Sequence, residues 1–263
     1  DAPNSCPVRL FLNGEYWGIY FLQEKMDERY LEDHYDVDIE HCNIIDNWHR
    51  DAEYGDSTNF VHMMEWLENA DLSVAENYAY LCSLVDVDNF IDYCVFETFI
   101  GNTDWPANNM RLWQEGDGKW RWLFYDGDAA LIDTAFAVFD NASYMGIEGW
   151  PSSTKASLMF RRMFENNDFK RKFAERVETF CASEFRYENT VTYLDEVKNQ
   201  IAGEIPCHIS RFGYPESTDY WNWSISLVDD FLRHRIDSYR QQYENYLPAK
   251  PSEFQSNTDD FVV

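Results

Sequence analysis

Residues 102–128 read NTDWPANNMRLWQEGDGKWRWLFYDGD. Two apolar and aromatic runs, Met110 to Trp113 and Lys119 to Asp126, flank Asp117-Gly118, a dipeptide that tolerates the positive φ angles of a tight hairpin. The stretch is therefore expected to fold as a β-hairpin. Its polar residues sit at the open end, with Asn102, Asp104, Asn108 and Asn109 before the first strand and Asp126 and Asp128 after the second. Such a ribbon folds Asn109 and Asp126 back toward each other. Hard oxygen donors converging at a strand end suit Mg²⁺, whose octahedron is completed by waters and substrate phosphates. Helix capping or an Asx turn accounts for any one of these residues alone. The joint spacing, with Asp104 five residues before Asn109 and Asp126 closing the ribbon that Asn109 opens, is harder to explain that way.

Upstream, a helix is expected from Asp88 to the stop at Gly101, preceded by helices starting at Ser57 and at Ser73, where Ser73 and Glu76 form a capping box. Their aromatic and Met stripes read as core. A polar loop is expected from Asp36 to Asp56. Before it, Val8 to Leu22 holds two strand-like runs around Asn13-Gly14, the dipeptide best suited to a type I′ turn. Gln23 to Met26 then leads to a short helix capped by Asp27 and ending near Tyr35. Downstream, Ile132 to Thr154 reads as a long surface loop. It is followed by helices at Ser157 to Asn166, Asp168 to Ala182, Asn189 to Ile205 and Ser226 to Tyr246, and by a frayed tail from Pro248. The pattern is α+β, with few strands and a helical majority.

The composition narrows the function. The 263 residues carry 21 Lys+Arg against 48 Asp+Glu, a net charge of −27, which excludes a nucleic-acid binder relying on a basic surface. The 45% hydrophobic and 17% aromatic content supplies a substantial core. No apolar run reaches the length of a membrane span, and the first residues are not a signal peptide, so a secretion signal is expected further upstream. Six cysteines form no C-x-x-C pair, and the six histidines are scattered. P-loop, H-E-x-x-H, G-x-S-x-G and G-x-G-x-x-G signatures are missing.

The order that remains matches a protein kinase catalytic loop, in which a base Asp precedes a metal-binding Asn by five residues and a short ribbon then ends in the metal-binding Asp. LNGEYWGIYFLQEKMD, NTDWPANNMRLW, KWRWLFYDGD and SLVDDFLRHRIDSY together resemble the CotH spore-coat protein kinase family over roughly Val8 to Tyr246. The resemblance implies an atypical, secretory-type kinase fold, in which a mostly helical large lobe (27–247) follows a truncated β small lobe and hinge (1–26), with a flexible tail (248–263). It further implies transfer of the ATP γ-phosphate, with Mg²⁺ or Mn²⁺, to Ser or Thr of surface or secreted proteins. Asp104 is then the catalytic Asp and Asp126 the metal-binding one, with Asn109 and Asp128 as further ligand candidates. Glu24 and Lys25 are candidates for the nucleotide-binding hinge. Arg111 and Arg121 are candidates for offsetting phosphate charge, against a plain strand salt bridge.

Two departures from ordinary kinases follow. Asp128 stands where D-F-G has glycine, which adds a carboxylate. The earlier small-lobe strands, with the Lys that grips the α- and β-phosphates and its partner Glu, are expected before residue 1, and without them nucleotide affinity falls. Because a −27 chain repels ATP, binding is expected to depend on the metal, and a basic or Ser/Thr-rich protein substrate is expected by charge. The expected chain is a monomer, extracellular or at the cell surface, with no nucleic-acid partner. The alternative is a non-catalytic surface or structural protein that keeps the large lobe as a platform for protein or carbohydrate; a two-carboxylate glycosidase using Asp104 with Asp126 or Asp128 is a third reading.

Overall fold

The computed structural model describes residues 1–47, 52–143 and 155–247. Strands Ser5–Leu12 (β1) and Glu15–Gln23 (β2) form the first hairpin. Asn13 and Gly14 at its tip have φ of 51° and 83°, both positive as an Asn-Gly turn requires. A register shift between Leu10 and Phe11 bulges the ribbon opposite Gly18, whose φ is 115°. A Cβ there would lie 2.5 Å from the Phe212 ring, so glycine allows the close approach that seats the hairpin. The Ile19 N–H donates to His208 Nδ1 at 3.0 Å, and the Arg211 guanidinium lies 4.2 Å from the Trp17 ring centre.

Helix Glu28–Tyr35 (α1) begins as expected, with the Asp27 carboxylate accepting from the Arg29 and Tyr30 amides. The polar loop expected from Asp36 to Asp56 is corrected: it contains strand Cys42–Asp46 (β3). Only Ile44 and Ile45 are apolar between Asn43 and Asp46, too short a run to show a period. Both become fully buried on pairing with strand Arg111–Glu115 (β4), in register Ile45 to Leu112 and Asp46 to Arg111. The second hairpin forms between β4 and Arg121–Leu123 (β5), and the antiparallel order is β3-β4-β5. The second strand is shorter than expected because its flanks pair elsewhere. Trp120 bridges to Val85, and the Phe124 amide donates to the Asp1 carbonyl.

Helices Thr58–Leu67 (α2), Ala75–Leu84 (α3) and Val87–Ile100 (α4) follow the expected order. The capping box at Ser73 does not cap α3, which starts after Val74 with no side-chain cap. The Ser73 hydroxyl and amide instead bond to Asp71 Oδ1, at 2.6 and 2.9 Å. The expected loop after Ile132 contains a short helix, Val138–Ala142 (α5); its residues 144–154 lie outside the described residues. Leu158–Met163 (α6) and Asn167–Ala182 (α7) come next. The helix expected over Asn189 to Ile205 is two, Tyr187–Ile201 (α8) and Ile205–Phe212 (α9), joined by a 3-10 turn. The last helix, Thr218–Tyr246 (α10), starts earlier than Ser226, at a Ser217 cap. The expected tail from Pro248 lies outside the described residues.

Helix α4 is the axis of the molecule. Ten of its residues are buried, in a core that gathers Phe90 and Phe99 with Trp122 of β5, Phe169 and Phe173 of α7 and Tyr239 of α10. A smaller cluster, including Met26, Leu31, Ile44, Trp113 and Leu123, joins α1 to the three-stranded sheet. Phe60, Met63 and Leu67 of α2 are buried as the stripe reading requires. The class is α+β, all six cysteines are free thiols, and no described helix is long and apolar enough to cross a membrane.

Candidate functional site

An α-helix leaves its last four carbonyls without helical partners, and at the end of α4 each finds one that also fixes a neighbouring loop. The Glu97 carbonyl accepts from Gly101, which turns the chain with φ of 68°. Arg235 of α10 donates to the next two, Nη2 to Thr98 O at 2.7 Å and Nε to Phe99 O at 2.6 Å. The Leu131 amide donates to Ile100 O at 2.8 Å. The loop carrying Asp104 therefore leaves α4 at a fixed point, and the segment after Asp126 is tied to the same point.

Further bonds stitch the two segments together. Thr103 donates to the Ala129 carbonyl through both its amide and its hydroxyl, each at 3.1 Å. Asn109 Nδ2 donates to the Asp126 carbonyl at 3.2 Å. Asn109 and Asp126 have φ of 58° and 57°, a conformation that non-glycine residues adopt at a cost and that gathers at functional sites. The ribbon thus brings Asn109 and Asp126 together as the sequence implies. Asn109 is almost fully buried, and its amide nitrogen is committed to that carbonyl, which leaves Oδ1 as its donor toward a cation.

Asp104, Asp126 and Asp128 share one electrostatic neighbourhood. The Asp104 carboxyl is raised above its ordinary range, first by burial and then by the charges of Asp128 and Asp126. No cation among the described residues enters that balance. The donor set consists of hard oxygens carrying excess negative charge, which suits a divalent ion. Among the described residues no three His, Cys, Asp or Glu side chains close around a metal position. Mg²⁺ does not need such a cage, because in nucleotide sites it is held by one or two carboxylates with phosphate and water oxygens. The described residues therefore form no closed metal centre, and their oxygens are donors of the kind a hard divalent ion takes when its other ligands come from elsewhere.

The other expected site residues lie elsewhere. Arg111 donates from Nη1 to the Met26 carbonyl at 2.8 Å, pairs with Asp46 at 3.0 Å and Glu53 at 3.6 Å, and stacks 5.0 Å from the Tyr125 ring centre. It ties the Gln23–Met26 segment to the start of β4. Arg121 pairs with Asp86 and, at 2.9 Å, with Asp1. The charges of both arginines are matched by carboxylates outside the acidic cluster. Glu24 accepts from the Asn4 amide at 2.7 Å and pairs with His34 at 3.0 Å. Lys25 is exposed beside Asp27 at 3.3 Å.

Sequence reasoning missed the residues behind the loop. Glu97 and Asn102 have no solvent exposure, and Asn102 Nδ2 donates to Glu97 Oε2 at 2.9 Å. Burial pushes the Glu97 carboxyl up to about 8, although bonds from Asn102 and Tyr93 pull the other way. A lone glutamate among Val95, Phe96, Thr98 and Phe99 was the available signal. The consequence for stability has a definite sign. Between 4.5, the ordinary value, and about 8, the folded protein holds a proton that the unfolded chain releases. The contribution is therefore complete below pH 4.5 and is lost as pH rises toward 8, by up to about 1.4 kcal/mol per unit. Urea unfolding at stepped pH should show E97Q gaining on the parent from pH 5 to 8 and levelling above it; parallel profiles would contradict the buried neutral carboxyl.

A family model described as CotH kinase protein matches residues 1–239 of the chain. No curated protein matches it.

Proposed function

The chain belongs to the CotH kinase family, and we propose that it transfers the γ-phosphate of ATP to Ser or Thr of a surface or secreted protein, with Mg²⁺ or Mn²⁺ bound at the acidic cluster. The observation that carries this reading is the joining of the Asp104 loop to the segment after Asp126, through the Thr103 bonds to the Ala129 carbonyl and the Asn109 clamp on Asp126, with Asp128 and Asp126 close enough to act on the Asp104 carboxyl. It is supported by the kinase-like order of those residues and by the family match. A divalent ion would be held by Asp126, with Asn109 and Asp128 as further oxygen donors, and would supply neutralisation of the phosphate charge.

The protein's own groups divide the work. Asp126 and Asp128 supply carboxylates at the open end of the ribbon, where Asn109 is bound to the Asp126 carbonyl. Asp104, whose backbone amide is fixed by Asn102 Oδ1 at 3.2 Å, accepts the hydrogen bond of the acceptor hydroxyl and aims it at phosphorus. Its raised affinity for a proton suits a group that takes one up as the oxygen attacks. Catalysis on this reading is mainly positioning and charge neutralisation. Gln23–Met26, fixed to β4 through the Met26 carbonyl, supplies the hinge backbone for adenine. The net charge of −27 favours a basic protein acceptor, and we place the protein outside the cell or at its surface, as a monomer.

The test is transfer of labelled phosphate from ATP to a basic, Ser/Thr-rich acceptor, with Mn²⁺, with Mg²⁺ and with chelator. Incorporation that requires the metal, survives hydroxylamine and is recovered as phosphoserine or phosphothreonine after acid hydrolysis supports the reading. Metal-dependent ATP binding without transfer to any acceptor would leave the chain as a binding platform, and neither binding nor transfer would overturn the proposal.

A further inference from the structure

One carboxamide joins the Asp104 loop to the end of the ribbon. Asn102 Oδ1 accepts from the Asp104 amide at 3.2 Å, while its Nδ2 donates to Glu97 Oε2 at 2.9 Å and, more weakly at 3.5 Å, to the Asp126 carbonyl. The Asp126 carbonyl is the one that also accepts from Asn109. Asn102 therefore links α4, the Asp104 loop and the end of the ribbon. A carboxamide can sit in such a position either way round, and the partners of its oxygen and nitrogen together decide which. Glu97 is the nearer of the two partners of the nitrogen. It accepts and so holds the nitrogen toward itself, which leaves the oxygen for Asp104. Its other oxygen, Oε1, has no hydrogen-bond partner among the described residues; the Tyr93 hydroxyl, which lies near the carboxyl, donates to the Asn109 carbonyl at 3.4 Å.

A charged residue in the middle of an apolar helix is costly unless it is paired. Among the described residues no cation lies beside Glu97, and its carboxyl is held largely neutral at pH 7. Leucine would pack α4 at least as well. The hydrogen-bond geometry gives a reason for a carboxyl at this place: no apolar side chain can orient Asn102.

We propose that Glu97 and Asn102 are positioning residues of the phosphoryl-transfer site, Asn102 holding Asp104 and Asp126 in register and Glu97 fixing the orientation of its amide. This rests on the reading of the acidic cluster given above. Neither residue touches a reacting atom. Removing such an outer partner typically lowers metal affinity or activity by about 10–100-fold.

The experiment compares the full chain with Glu97→Leu and Glu97→Gln by two readouts. One is amide hydrogen exchange of Asp104 and of residues 126–131 without ligand. The other is the apparent dissociation constant of Mn²⁺·ATP from thermal unfolding. E97L is expected to speed exchange at those amides by about tenfold and to weaken Mn²⁺·ATP by at least about tenfold. E97Q, which keeps an acceptor for Asn102, should stay within about twofold of the parent on both. Equal effects of the two variants, or an E97L chain that matches the parent, would overturn the proposal. If E97L does not fold, Asn102→Ala is read in the same way. If the parent itself shows no response to Mn²⁺·ATP, the function fails, while the exchange data still decide whether Glu97 and Asn102 hold the two segments.

Discussion

Asp104→Asn should lower phosphate transfer by about 10²–10⁴-fold, the range over which a positioned acid or base contributes, while the protein becomes more stable to heat. The two effects have one cause. Asp104 is partly desolvated and repelled by Asp128 and Asp126, so an amide of the same shape relieves the folded state of an unfavourable charge. The backbone bond to Asn102 is untouched by the substitution, so the loop keeps its place. Initial rates at saturating ATP and a melting curve on the same preparation suffice. A variant that loses activity and stability together would mean that Asp104 is structural. One that keeps its activity would move the base elsewhere.

Arg235→Met should destabilise the chain by about 3–5 kcal/mol, a large loss against the 5–15 kcal/mol typical of a whole domain. The guanidinium is fully buried and donates to Thr98 O, Phe99 O and Thr134 O, with a longer bond to Phe136 O at 3.4 Å. It also stacks between the rings of Phe231 and Tyr239. No carboxylate is bonded to it; burial pushes it down to about 10, still far above neutrality. Methionine fills much of the volume but leaves those carbonyls without a donor in the interior. Lysine offers a charge but not the planar fork that reaches carbonyls on two segments at once, so Arg235→Lys should rescue little. Urea midpoints measure the loss; a shift of under about 1 kcal/mol would mean that water replaces the guanidinium.

What the sequence made readable follows the strength of local signals. Asn13-Gly14 specifies its turn by φ alone, Asp27 caps α1 by side-chain chemistry, and Gly101 stops α4 by its left-handed conformation. Each needs only its own neighbours. The NTDWPANN loop and the YDGD strand end were readable as a pair because a hairpin between them leaves little geometric freedom. Strand β3 was not readable, since Ile44 and Ile45 are buried by a partner more than 60 residues away. The early start of α10 was missed for a related reason. Tyr220 and Trp223 on its first turns are exposed, so no apolar stripe marks them. Arg111 and Arg121 looked like groups for phosphate because their carboxylate partners, Asp46 and Asp86, are distant in sequence. Glu97 was overlooked because a helix that packs on all sides gives no face on which a polar residue stands out.

Binding of a divalent ion together with ATP at the acidic cluster of the ribbon end is what the proposed function requires. It is tested most directly by titrating Mn²⁺ into the protein with a non-hydrolysable ATP analogue and following the free aquo-ion by electron paramagnetic resonance. The account predicts one tight Mn²⁺ per chain that needs the nucleotide, weakened by at least about tenfold in Asp126→Ala. Mn²⁺ that partitions between water and nucleotide as though the protein were not there, or that binds equally well to Asp126→Ala, would contradict it.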